Sequence, residues 1–246
     1  MEDSIKKRLP NGRFPLIAVE GAIGAGKSTL LRWGMRTQNL IYSPEVESPH
    51  LIAYYDNPAR WGFTLQTDML LRRIRQERQT RRVTHESPMW QERSVWGGYA
   101  LARANWLVGT LSASEWELYK ELQATILENH RTVDGILYLE CSVDTALERI
   151  AHRAISREAE IDQDYMVAIS ESYESVLQDA QGLGVVVYRH PWGHAESVQT
   201  EEEKGAYSVR ADIALSRARQ SVHAQVYDMA LHSIIGEMGE NAERDL

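Results

Sequence analysis

The chain has 246 residues, 43% of them hydrophobic, and a formal net charge of −8. That suffices for one sizeable core, while the net-acidic balance argues against a general DNA or RNA binder. A lone cysteine excludes an intrachain disulfide, and neither a signal-peptide core nor a run of about 18 apolar residues is found, so a soluble cytoplasmic protein with no membrane partner is expected. Residues 1–13 are polar. FPLIAVE (14–20) is a short apolar run ending at a glycine, the pattern of a buried parallel strand. GKSTLLRWGMRT follows as a helix, and LIYSPEV (40–46) is a second strand, ended near Pro44. Residues 59–80 carry Phe63, Met69, Leu70 and Ile74 among arginines and predict a long helix. MWQERS reads as a strand that ends in charge, and WGGYALARANWLVGTL as a helix despite its two glycines. Ser112 with Glu115 forms a capping box that opens a helix over 113–130. DGILYLECS (134–142) is a strand, and Cys141 at its end reads as a buried small residue. A helix over 143–154, a charged loop or lid at ISREAEID, a helix over 162–181 and a last strand at GVVVYRH follow. ESVQTEEEKG (196–205) reads as an acidic solvated loop, and 206–237 as a closing helix. Strands alternating with helices predict an α/β fold, a parallel sheet with helices on both faces, in a single domain over 1–246.

VEGAIGAGKSTL (19–30) carries the strongest chemical signal. Gly21, Gly24 and Gly26 precede Lys27 and Ser28 in the spacing G-x-x-x-x-G-K-S. Glycines let successive backbone N–H groups curl toward one centre, and the following helix adds its positive end. Lys27 supplies a point charge and Ser28 a hydroxyl for Mg²⁺. Residues Gly21, Ala22, Ile23, Gly24, Ala25, Gly26, Lys27, Ser28 and Thr29 therefore form a P-loop for the β and γ phosphates of a nucleoside triphosphate, ATP with Mg²⁺.

Three further stretches bear on where that phosphate goes. In YYDNPARWGFTLQ (54–66), the tyrosines and Trp61 offer rings for a planar ligand and Gln66 an amide for its edge, although such a helix start also serves as core. In ERSVW (92–96), Glu92 and Arg93 stand where a strand ends, beyond which open α/β sheets bind ligands. Glu92 there can hold Mg²⁺, and Arg93 can clamp a phosphoryl group. In ERIAHRAISRE (148–158), Arg149, Arg153 and Arg157 share one helical face, suited either to a lid over a triphosphate or to a solvated salt-bridged surface. His190 and His194 lack a third ligand at metal spacing and read as surface histidines.

Together these stretches resemble the deoxyribonucleoside kinase family over roughly residues 14–190, and NWLVGTLSASEWELY (105–119) is especially similar to its bacterial deoxyadenosine and deoxyguanosine kinase branch. The resemblance implies a P-loop NTPase-type fold with an arginine-bearing lid at about 149–161 and a divergent loop and helix over 191–246. It implies ATP-dependent phosphorylation of a deoxynucleoside 5′-hydroxyl, and a homodimer through helices such as 96–107 and 113–130. Lys27 and Ser28 would then handle phosphates and Mg²⁺, and Glu92 would help bind Mg²⁺. Arg149 and Arg153 would close over the donor. Tyr55 and Glu158 would hold the sugar 3′-hydroxyl, Gln66 would pair with the base beside Arg73, and Arg93 would position the 5′-oxygen. The family's base for that hydroxyl falls by count at Ser43, where this chain has none. Glu45, two residues on, is favoured, with Glu47 as the spare. An Asp that accepts from an exocyclic amine in many relatives is replaced by Gly98, which removes a reason to prefer adenine or cytosine. One lid arginine of several relatives falls at Ile155, and Arg157 stands where they often carry an acid.

Two other readings stay open on sequence alone. ERSVWGGYA also resembles the Asp-Arg motif of thymidylate-kinase-type monophosphate kinases, with Arg72, Arg73 and Arg75 as candidate ligands of an acceptor phosphate. A P-loop regulator that binds nucleotide without transferring phosphate is the third.

Overall fold

The computed structural model describes residues 14–82, 87–153, 161–193 and 201–244. Five strands form one parallel sheet: β1 (Leu16–Glu20), β2 (Ile41–Ser43), β3 (Met89–Glu92), β4 (Gly135–Glu140) and β5 (Val186–Pro191), in the order β2-β3-β1-β4-β5. Every residue of β1 is buried, because both its faces are covered. Its alternation divides the core in two. Leu16 and Ala18 join Leu70, Trp96, Tyr119 and Tyr173 on one face, whereas Ile17 and Val19 join Leu30, Leu31, Ala211 and Leu215 on the other.

The helices behind those side chains are α3 (Pro58–Arg82), α4 (Val95–Leu107), α5 (Ala113–Asn129), α6 (Val143–Arg153) and α7 (Gln163–Gly182) on the first face. On the second are α1 (Lys27–Thr37) and α8 (Glu201–Arg244). The expected capping box is present: Ser112 Oγ accepts from Glu115 N at 3.3 Å, and Glu115 Oε2 accepts from Ser112 N at 2.8 Å. Among the described residues no helix is long and apolar enough to cross a membrane.

One element was not expected and one expectation is corrected. Between β2 and α3 lies a separate short helix, α2 (Leu51–Asp56), which the sequence does not announce. It stops at Asn57, since the residue before a proline avoids helical backbone and Pro58 suits a first helical position, having no N–H to satisfy. Asn57 then caps α3, its Oδ1 accepting from Arg60 N at 3.1 Å. The acidic loop expected over 196–205 is helical from Glu201 onward. Acidic residues favour a helix N-terminus, where they meet the positive end of the dipole; 196–200 lie outside the described residues.

Candidate active site

The P-loop leaves the end of β1 with Gly24 and Gly26 at φ of 80° and 95°, left-handed conformations that glycine adopts without strain. A Cβ at Gly24 would stand 2.4 Å from Ala146 O, so space as well as torsion requires glycine. No side chain caps α1, which leaves its first N–H groups for a ligand. Lys27 is buried, and its Nζ donates to Ala22 O at 2.8 Å and Gly21 O at 3.2 Å. Burial and the nearby Arg93 push its pKa down to about 7, against the pull of Glu45, Glu92 and Glu20.

β3 pairs beside β1 and ends on the same edge, so Glu92 meets the P-loop helix. Ser28 Oγ donates to Glu92 Oε1 at 2.6 Å. These two oxygens, 64 positions apart in sequence, form a donor pair suited to a hard divalent cation. Arg93 follows at a φ of 60°, a left-handed torsion that costs a non-glycine residue about 1–3 kcal/mol. Its Nη1 donates to Gly21 O at 3.1 Å and to Tyr173 Oη at 2.6 Å.

Glu45 stands on the loop after β2. Its Oε1 accepts from Arg73 Nη2 at 3.0 Å and lies 2.9 Å from Arg93 Nε, with 32% of its side chain still exposed. Burial raises its pKa, but Arg93, Arg73 and Lys27 outweigh that and hold the carboxyl below the usual carboxylate range. Ser43 faces α3 instead, its Oγ accepting from Gln76 Nε2 at 2.8 Å. Of the three candidate positions in this turn, it is Glu45 that meets both guanidinium groups.

One cavity of about 790 Å³ joins these parts. Ile23, Gly24, Gly26, Lys27, Ser28 and Thr29 line it from the P-loop, and Glu45, Glu92 and Arg93 from the strand ends. Tyr55, Gln66 and Arg73 line it from α2 and α3, and Arg149 from α6. Gly21, Ala22 and Ala25 form the backing of the loop: Gly21 and Ala22 accept from Lys27 and Ala25 from Arg149 Nη1 at 3.1 Å. Glu158, Ile155, Arg157 and His194 lie outside the described residues, as does the side chain of Arg153.

Several sequence expectations part from this geometry. Trp61 is absent from the cavity lining and stacks on His50, with ring centroids 5.8 Å apart, because its position on α3 turns it away from Gln66. Arg72 pairs with Asp68 at 2.7 Å and Arg75 is exposed, and neither lines the cavity. Cys141 is half-buried, not fully buried; burial pushes its thiol pKa up, as expected of an unreactive residue.

Sequence reasoning missed a buried support beneath Arg93. Glu20 Oε1 accepts from Ser94 N and Ser94 Oγ at 2.7 Å each and from Gly97 N at 3.2 Å, and Oε2 accepts from Tyr173 Oη at 2.9 Å. Burial raises the Glu20 pKa, partly offset by Arg93 and these hydrogen bonds. A Cβ at Gly97 would stand 2.1 Å from Glu20 Oε2, which explains the glycine. The signal available in sequence was a carboxylate closing an otherwise apolar strand. Also missed was a network at the cavity wall: Tyr54 Oη donates to Asn105 Oδ1 at 2.7 Å, and Asn105 Nδ2 donates to Tyr165 Oη at 2.9 Å.

A parallel sheet with a glycine-rich phosphate cradle, joined in one cavity to a carboxylate held by two arginines, defines a P-loop phosphotransferase architecture. Comparison with known proteins narrows the class. The deoxynucleoside kinase family matches residues 17–206, so the chain belongs to that family and is an enzyme of that type. It is 28% identical to the deoxyguanosine kinase of Bacillus subtilis over 68% of this chain and 80% of that one. It is also 28% identical to deoxycytidine kinase 2 of Gallus gallus, over 73% and 78% respectively. Its fold is similar to that of the deoxyadenosine kinase from M. mycoides with bound dATP, with a TM-score of 0.64, 23% identity, and coverage of 78% of this chain and 98% of the other.

Proposed function

We propose that the chain transfers the γ-phosphoryl group of ATP to the 5′-hydroxyl of a deoxyribonucleoside, giving the 5′-monophosphate and ADP. The observation that carries this reading is the position of Glu45, an ionised carboxylate held by Arg73 and Arg93 in the cavity that the P-loop lines. Glu45 accepts the hydroxyl proton as transfer proceeds. Lys27 and the N–H groups at the start of α1 hold the donor phosphates, and Arg93 neutralises charge on the phosphoryl oxygens in flight. Arg149, joined by Arg153, closes over the donor. Ser28 and Glu92 would hold Mg²⁺, which would supply charge neutralisation for the donor phosphates. Tyr55 and Glu158 orient the sugar, and Gln66 and Arg73 meet the base. Catalysis rests mainly on positioning and charge stabilisation.

A monophosphate acceptor would need arginines at its phosphate. Arg72 and Arg75 lie outside the cavity, which favours a bare hydroxyl as acceptor. The decisive assay is ADP release with ATP–Mg²⁺ and a panel of deoxynucleosides, ribonucleosides and monophosphates. ADP that forms with deoxynucleosides supports the reading, and ADP that forms only with monophosphates overturns it. The reading also carries a cytoplasmic homodimer, which sedimentation of the purified chain checks for its oligomeric part.

A further inference from the structure

The turn that carries Arg93 is held from several sides. Its left-handed torsion is of the kind that persists only where the surroundings over-determine it. The Arg93 N–H donates to Val19 O at 3.1 Å, and its carbonyl accepts from Gln91 Nε2 at 2.7 Å. Two residues on, Val95 N donates to Glu77 Oε1 at 3.0 Å, an oxygen that also accepts from Gln91 Nε2 at 3.4 Å. The other carboxyl oxygen, Oε2, lies 2.7 Å from Nε2 of His130, which caps the end of α5. Glu77 and Gln91 are fully buried and His130 nearly so, and none of the three lines the cavity.

Whatever this cluster does for the reaction therefore passes through Arg93. Glu77 stands one helical turn after Arg73 on α3. Arg73 Nη2 donates to Glu45 at 3.0 Å, so one helix holds both partners of the Glu45–Arg93 contact, the carboxylate directly and the arginine through its backbone. α1 leaves its first N–H groups uncapped and open to phosphate. Those of α4 are taken up instead, Val95 N by Glu77, Trp96 N by Ser94 Oγ and Gly97 N by Glu20. Burying a glutamate with a histidine carries a desolvation cost, and apolar packing of the same volume serves stability as well. What the satisfied polar set adds is one fixed geometry at Arg93.

We propose that Glu77, locked by His130 and joined by Gln91, is a positioning residue for phosphoryl transfer: it fixes the turn from which the Arg93 guanidinium reaches Glu45. The inference rests on the transfer reading above and adds residues that lie outside the cavity. Glu77→Leu removes the acceptor at Val95 N, and Gln91→Met removes the donor at Arg93 O. At a temperature where melts show each variant folded, kcat should fall at least about tenfold while KM for ATP and nucleoside moves less than about threefold. Glu77→Gln keeps an acceptor for Val95 N and brings a donor to the His130 ring, and it should restore kcat to within about threefold of wild type. Wild-type kcat in the folded Leu and Met variants, a rise in KM in place of the fall in kcat, or a Glu77→Gln variant as slow as Glu77→Leu would each overturn the proposal. If Glu77→Leu does not fold, Gln91→Met decides alone. Should the wild-type chain yield no ADP with any nucleoside, the transfer reading fails by itself, and NMR titration of the Glu45 carboxyl decides whether the clamp places Arg93. Against the push of burial, Arg93 and then Arg73 hold that carboxyl below 4.5. A midpoint that rises toward 4.5 in Gln91→Met supports the clamp, and an unmoved midpoint refutes it.

Discussion

Glu45→Gln keeps the size of the side chain and removes the carboxylate. At a position that accepts a proton during transfer, the loss is about two to four orders of magnitude in kcat, or about 3–5 kcal/mol. Nucleoside KM should move by less than about threefold, since the amide still accepts from one arginine. There is a structural cost as well. Glu45 Oε1 sits 3.0 Å from Arg73 Nη2 and 2.9 Å from Arg93 Nε, and both guanidinium groups are buried. With 32% of the Glu45 side chain exposed, solvent screens that contact, and about 1–2 kcal/mol of stability should be lost. For a chain of this length that lowers Tm by about 2–8 °C, which leaves the variant folded at assay temperature. Below its ordinary value of 4.5 the wild-type carboxyl stays ionised. The stability it contributes is complete above that ordinary value and lost as pH falls through the lower folded value; the variant lacks this limb. The assay is steady-state ADP release, with thermal unfolding and ATP binding followed on the same sample. A folded, ATP-binding variant with kcat within about tenfold of wild type would refute the assignment, and Glu47→Gln would then be the next test.

Tyr173→Phe removes the hydroxyl shared by Arg93 and Glu20; kcat should fall about tenfold or more with nucleoside KM little changed, and an unaltered kcat would show that Arg93 is positioned without it. Gly97→Ala drives a methyl to 2.1 Å from Glu20 Oε2, and a loss of about 2–4 kcal/mol is expected in denaturant melts. Gly182→Ala, with nothing within 4 Å, should be neutral by comparison, so equal stabilities of the two variants would refute the packing argument. Lys27 has its pKa lowered to about 7 from 10.5, so near pH 8 most of its charge is missing before nucleotide arrives. Binding the polyanion restores that charge, so Lys27 should take up a proton as ATP binds at pH 8 but not below about pH 6. Calorimetry in buffers of different ionisation enthalpy measures this, and identical heats at pH 8 would exclude it.

What could be read in the sequence is what depends on neighbours along the chain. The P-loop signals itself because its glycines, Lys27 and Ser28 act from consecutive positions, and the apolar run before it can only be a covered strand. Glu92–Arg93 was legible for a similar reason, a charged pair at the end of a strand. Glu45 was legible only as a choice among three positions; what favours it in the proposed role is contact with Arg93, which follows β3, and with Arg73 of α3. Trp61 was misjudged because composition near Gln66 does not reveal which way a helix turns. Glu20 and Tyr173 lie 153 positions apart and meet only because the Tyr173 side chain reaches from α7 to the end of β1. An isolated glutamate after Leu-Ile-Ala-Val reads as the solvated end of a strand, yet here it is fully buried and satisfied by Ser94, Gly97 and Tyr173. The same physics accounts for the two glycines in α4. In sequence they weaken a helix; in the fold, Gly97 admits the Glu20 carboxylate and Gly98 admits the Arg73 guanidinium. α4 thus gives up helix propensity at two adjacent positions to accommodate an anion on one side and a cation on the other.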